Sequence, residues 1–198
     1  MEAVARQFAG GARALVVRNG WFSYRWTQIF EAGGFAAETR AALARRSGNE
    51  PQAPFAPAPI EEVAAAIAEM KPYLVCAPHV ETASGMILPD DYLRALASAA
   101  HEAGALFVLD CIASGAVWVD MKAAGVDVLI SAPQKGWSAS PSAGLVMFSQ
   151  AALERMGERA MLAVYHRRRW PEVKARVMGI DLLNRTSMLS ARPLRDLR

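Results

Sequence analysis

Short apolar runs alternate with helix-length stretches along most of the chain. ALVV at Ala14–Val17, YLVCA at Tyr73–Ala77, LFVL at Leu106–Leu109, VDVLI at Val126–Ile130 and GLVMF at Gly144–Phe148 are each too short for a helix. Their near-continuous apolar character predicts strands buried on both faces. Trp21–Ala32 predicts a helix closed by Gly33-Gly34. Ile60–Met70 has helical spacing, and Pro59 with Glu61-Glu62 suits a helix N-terminus, where the backbone dipole favours negative charge. Asp90–Ala103 predicts a further helix, with Pro89 before it and Gly104 at its end. Ser47–Pro59, rich in Pro, Gly and polar residues, reads as a loop. Strands alternating with helices of this length predict an α/β fold. The expected architecture is a three-layer α/β/α sandwich around a mostly parallel sheet.

In such sheets a ligand sits beyond the carboxyl ends of the strands. Polar residues gather there. His79, Glu81 and Thr82 follow one predicted strand, Asp110 ends the next, and Gln134 and Lys135 follow a third. A carboxylate buried at Asp110 needs a cationic or hydrogen-bonding partner. A protonated pyridine nitrogen is one such partner; a turn-capping role before Ser114-Gly115 is the plainer reading. Lys135 lies in Ser131-Ala132-Pro133-Gln134-Lys135-Gly136-Trp137, among small residues and a Trp. Desolvation in that setting would lower its pKa and free the amine for Schiff-base formation. A loop lysine in solvent is the alternative.

The chain has 198 residues, 53% hydrophobic and 21% charged, which suits one globular domain with a real core. No apolar run reaches the ~18 residues of a membrane span. Met1–Gly10 lacks the pattern of a signal peptide. Cys76 and Cys111 both lie in apolar runs and read as reduced core thiols. The expected location is cytoplasmic. Charge divides the chain: residues 155–198 hold 11 Lys/Arg against 4 Asp/Glu, while residues 1–154 hold 11 against 15. We therefore expect a core over 1–154 and a basic tail over 155–198. In the tail, Trp170, Val173, Val177 and Ile180–Leu183 could form one amphipathic helix. A basic tail can bind nucleic acid or acidic partners. No zinc-ligand spacing and no aromatic-rich basic motif supports a nucleic-acid module, and none is expected.

Three segments in order carry a resemblance. Asn19-Gly20 with Trp21, Phe22, Tyr24, Arg25 and Trp26 comes first. Pro78-His79-Val80-Glu81-Thr82-Ala83-Ser84-Gly85 follows. The run from Leu109-Asp110-Cys111-Ile112-Ala113-Ser114-Gly115, through Asp120 and Gly125–Leu129, to Ser131–Gly136 completes the set. Together they resemble the class V aminotransferases, with alanine–glyoxylate and serine–glyoxylate aminotransferases as the nearest kinds, over about residues 1–155. The resemblance implies pyridoxal 5'-phosphate as cofactor. It makes Lys135 the Schiff-base lysine that also shuttles a proton, and pairs Asp110 with the pyridine nitrogen. It sets Gln134 at the phosphate, Thr82 at the ring O3′, Ile112 under one ring face and Phe22 over the other. His79 and Glu81 are expected to hold their turn. The implied reaction moves an amino group from alanine or serine to a 2-oxo acid such as glyoxylate, and the family's members are homodimers. Related desulfurases use a mobile Cys; the lack of a late Cys places this chain on the aminotransferase side. The family's Ser-Gly-x-Gly phosphate cradle precedes a helix resembling Met1–Phe8. Its Tyr-His-x-Thr motif and its substrate-carboxylate Arg find no match after Glu154. The alternative expectation is therefore a truncated or frame-shifted, non-catalytic remnant; a binding module acting through the Arg-rich tail is a minor third.

Overall fold

The computed structural model describes residues 1–156. The chain opens with α1 (Glu2–Phe8), β1 (Arg13–Arg18), α2 (Trp21–Gly33) and β2 (Glu38–Leu43). A short ladder follows, β3 (Arg45–Arg46) with β4 (Phe55–Ala56), then α3 (Ile60–Met70) and β5 (Leu74–Pro78). A second ladder, β6 (Val80–Glu81) with β7 (Met86–Ile87), leads into α4 (Asp90–Glu102) and β8 (Leu106–Asp110). The remainder comprises α5 (Met121–Ala124), β9 (Val128–Ser131) and β10 (Leu145–Phe148). The basic tail expected from Arg155 onward, with its amphipathic helix, lies outside the described residues except for Arg155 and Met156.

Six strands form the central sheet in the order β10-β9-β8-β5-β1-β2. All neighbours pair parallel except β10, which runs antiparallel to β9. Alternate side chains along each strand face opposite layers. Leu15, Val17, Val75, Ala77, Phe107 and Leu109 join the core beneath α3 and α4. Ala14, Val16, Leu74, Cys76, Leu106 and Val108 join the core beneath α1 and α2. The helices supply matching stripes. Val63, Ile67 and Met70 are buried on α3, and Leu93, Leu96, Ala97 and Ala100 on α4, at the 3–4 residue spacing of one helix face. Each such Leu or Ile side chain stabilises the fold by roughly 2 kcal/mol relative to exposure. The three layers expected from the alternation are present.

Local differences have physical causes. No strand was expected at β2, because ETRAAL lacks a β-branched or aromatic run. It is an edge strand, half-exposed along its length and paired to β1 from Arg13↔Glu38 to Arg18↔Leu43. Backbone pairing to a central strand overrides weak propensity there. The expected loop over 47–59 contains β4, whose Phe55 pairs with Arg46. The strand expected from Val126 begins at Val128. The Val126 N–H instead donates to the Met121 carbonyl at 2.8 Å, closing the α5 turn.

Between β1 and β5 the direction of chain progression reverses. From β1 the chain moves outward to β2, returns to β5 on the other side of β1, then proceeds to β8 and β9. Such a reversal opens a crevice at the carboxyl ends of the two strands, where doubly wound sheets bind ligands.

Candidate active site at the strand ends

The four central strands stop at nearly one level. Pro78 pairs with Asp110, and Asp110 with Ile130, so the segments launched by β5, β8 and β9 leave the sheet side by side. Three side-chain links tie these segments together. The first spans the crevice between β1 and β5. Glu81, 1% exposed, accepts from the Ser23 N–H and Ser23 hydroxyl at 2.8 Å each and from the Phe22 N–H at 3.2 Å. A carboxylate there satisfies donors that the first turn of α2 cannot pair internally, and it favours the positive end of the helix dipole. Gly20 is required by the same contact: a Cβ on it would lie 2.7 Å from Glu81 Cγ.

The second link joins β5 to β8. Buried His79 Nδ1 and Ser114 Oγ share a hydrogen bond of 2.7 Å, and the His79 N–H donates to the Asp110 carbonyl at 2.9 Å. Burial holds the His79 imidazole below its ordinary pKa, against a weaker opposing pull from Asp90. The third link joins β8 to β9. The Trp137 indole N–H donates to the Gly115 carbonyl at 3.1 Å, and the Ser131 hydroxyl donates to the Cys111 carbonyl at 3.4 Å. The expectation that His79 and Glu81 hold their turn matches these contacts.

Asp110 sits at the centre of this edge. Side-chain alternation places it with Leu106 and Val108 on the α1/α2 face, and Ile112 packs against the same cluster. Its residue is 8% exposed, and Oδ1 accepts from the Ile112 N–H at 2.9 Å. Burial pushes its pKa up from 3.8 to about 6; the Ile112 amide and the positive amino end at Met1 act the other way, and Glu81 adds to the rise. A carboxylate in this position gains from any cation placed against it.

The other predicted residues surround it more loosely. Phe22, 42% exposed, stands in the first turn of α2, two residues after Gly20. Trp21 is exposed and pairs with Tyr24 at 6.1 Å, whereas Trp26 is wholly buried against Phe30 and belongs to the core. Thr82 is exposed in the turn between β6 and β7. Gln134 and Lys135 are exposed in the segment after β9. The desolvated setting expected for Lys135 is thus not found: the small side chains around it leave the residue to solvent. Cys76 and Cys111 are buried free thiols, as their apolar runs predicted; burial raises both, Cys111 to about 12. Among the described residues no helix is long and apolar enough to cross a membrane, and no group of three metal-ligating side chains occurs.

Sequence reasoning missed the partners that link the segments. Ser23 and Ser114 carried no local signal, because each acts on a residue far along the chain. Trp137 was visible beside Lys135, but its bond to Gly115 was not.

Residues 52–170 match the family described as Aminotransferase class-V. The soluble hydrogenase 42 kDa subunit of Anabaena cylindrica is 34% identical over 146 residues, 73% of this chain and 36% of that protein. The L-aspartate–glyoxylate aminotransferase of Paracoccus denitrificans is 29% identical over 153 residues, 77% of this chain and 37% of that protein. The crystal structure of an alanine–glyoxylate aminotransferase from Nostoc sp. aligns with a TM-score of 0.64 at 27% identity, covering 80% of this chain and 39% of that one. The chain spans little more than a third of the length of these relatives.

Proposed function

The chain belongs to the aminotransferase class-V family, and from that premise we propose that its strand-end edge serves pyridoxal phosphate-dependent amino transfer. In this reading Lys135 is the Schiff-base lysine. The donor is a small amino acid, alanine or serine, and the acceptor a 2-oxo acid such as glyoxylate. The names of two relatives support the acceptor, each being a glyoxylate aminotransferase of its own kind.

The observation that carries the reading is Asp110. It is a buried carboxylate at a strand tip, next in the sheet to the strand that launches the Lys135 segment. The donor set fits the cofactor. A raised carboxyl with one amide donor on Oδ1 suits a pyridinium N–H, whose positive charge would favour the ionised form. Exposed Phe22 offers a ring face, and half-buried Ile112 an apolar surface near Asp110. Gln134 offers an amide for a phosphate oxygen, and Thr82 a hydroxyl for the ring oxygen.

When bound, the cofactor supplies an electron sink that stabilises negative charge at the substrate Cα. Asp110 would face the ring nitrogen and favour its protonated form, which would keep that sink effective. Lys135 Nζ would hold the cofactor aldehyde between turnovers and would be the base that carries the proton removed from the substrate Cα. His79 and Glu81 act on the scaffold, fixing the segments that carry Asp110 and Phe22.

The test is a visible absorption band on adding pyridoxal phosphate to the full chain, followed by its bleaching with alanine, serine or aspartate. A band absent in Lys135→Ala and bleached by an amino donor supports the reading. A band of equal strength in Lys135→Ala overturns it. A Lys135-dependent band that no amino acid bleaches supports the non-catalytic alternative.

A further inference from the structure

We propose that Trp137 and Trp118 are positioning residues that clasp the Lys135 segment onto the Asp110 segment and so set where the lysine amine can reach; this rests on Lys135 being the Schiff-base lysine. The stretch from Ala132 to Gly144 is built from Ser, Ala, Gly and Pro around Gln134, Lys135 and Trp137, and it forms no helix or strand. Its own backbone bonds, Ser138 N–H to the Lys135 carbonyl at 3.2 Å and Ala139 N–H to the Pro133 carbonyl at 3.1 Å, give the turn a shape. They do not fix that shape relative to Asp110, because both partners lie within the turn.

Placement comes from three contacts with the segment after β8. The Trp137 indole N–H reaches the Gly115 carbonyl at 3.1 Å. The Trp118 and Trp137 rings stack at 5.8 Å with 22° between planes. The backbones at Gly136 and Gly115 approach so closely that a Cβ on Gly136 would collide with Gly115 Cα. Gly136 is the direct neighbour of Lys135, and Gly115 lies five residues beyond Asp110. The clasp therefore joins the two segments next to Lys135 and five residues beyond Asp110. It also accounts for a large exposed aromatic: Trp118 is 78% exposed, which gains little from burial but keeps its ring against Trp137.

Both residues can be tested apart from Lys135 itself. Trp137→Phe keeps a ring to stack and removes the N–H; Trp118→Ala removes the stack and keeps the N–H. In the cofactor-free full chain, amide exchange over residues 134–138 should speed up roughly fivefold in each variant, as loss of one exposed contact implies. Exchange in β5 and β8 should stay unchanged. On adding pyridoxal phosphate, the Lys135-dependent band should form more slowly by a similar factor. Wild-type exchange and wild-type band formation in both variants would overturn the proposal. Faster exchange with unchanged band kinetics would overturn it too, marking the pair as structural alone. If Trp137→Phe loses protection in β5 and β8 it has unfolded, and Trp118→Ala decides. A band that persists in Lys135→Ala removes the underlying reading and this proposal together. A band lost in Lys135→Ala but untouched by both Trp variants removes only the clasp.

Discussion

Replacing Asp110 by Asn should stabilise the cofactor-free protein at neutral pH while impairing the proposed chemistry. Burial raises the carboxyl from 3.8 to about 6. Between those values the folded protein retains a proton that the unfolded chain has released, so stability falls as pH rises through the window and the loss is complete above about 6. A difference of this size corresponds to about 3 kcal/mol. Asn carries no charge, keeps an oxygen for the Ile112 N–H, and so lacks the pH-dependent loss. The assay is urea unfolding of both proteins at pH 4 and pH 7. Between the two, wild type should lose about 2 kcal/mol more than Asp110→Asn, because part of the loss has already occurred by pH 4; the comparison cancels any fixed cost of the amide. Parallel profiles would refute the claim that Asp110 is a buried, unfavourably ionised group. The same variant should bleach more slowly with an amino donor, because a neutral amide cannot hold the ring nitrogen's proton. Greater stability with weaker function is the signature of a group kept for chemistry.

Other residues give further tests. Glu81→Ala should cost about 3 kcal/mol in urea unfolding, since it strands the Phe22 and Ser23 donors inside the crevice. Gly20→Ala should cost about 1–3 kcal/mol by pressing a methyl against Glu81, and combining it with Glu81→Ala should cost less than the sum of the two. Asp127 accepts from the Phe107 N–H at 2.9 Å, bonds His101 Nε2 at 2.8 Å and accepts from the Ser149 hydroxyl at 2.8 Å. Asp127→Ala should therefore lower stability by about 3 kcal/mol in a thermal melt, without altering which residue the cofactor labels.

Much of the frame was legible because burial on both faces leaves a strand little but apolar residues. That signal located β1, β5, β8, β9 and β10 to within two residues at each end. It failed at β2, whose half-exposed edge position imposes no such pattern. Asp110 and Lys135 stood out for the same reason, as ionisable residues at the ends of apolar runs. What the sequence did not reveal is how the segments are locked. Glu81 serves the first turn of α2 from 58 residues away, and Trp137 serves Gly115 from 22. Neither spacing has a period to read. The exposure of Lys135 also differs from expectation, because local composition says which neighbours are small but not whether a surface covers them.

The central claim is that the strand-end edge directs one lysine to the cofactor. The full chain contains Lys71, Lys122, Lys135 and Lys174. Adding pyridoxal phosphate at stoichiometric level, reducing with borohydride and mapping the label by peptide mass spectrometry tests that claim directly. Label is expected on Lys135, sharply reduced in Asp110→Ala. Label spread evenly over the four lysines, or concentrated on Lys71 or Lys122, would contradict it.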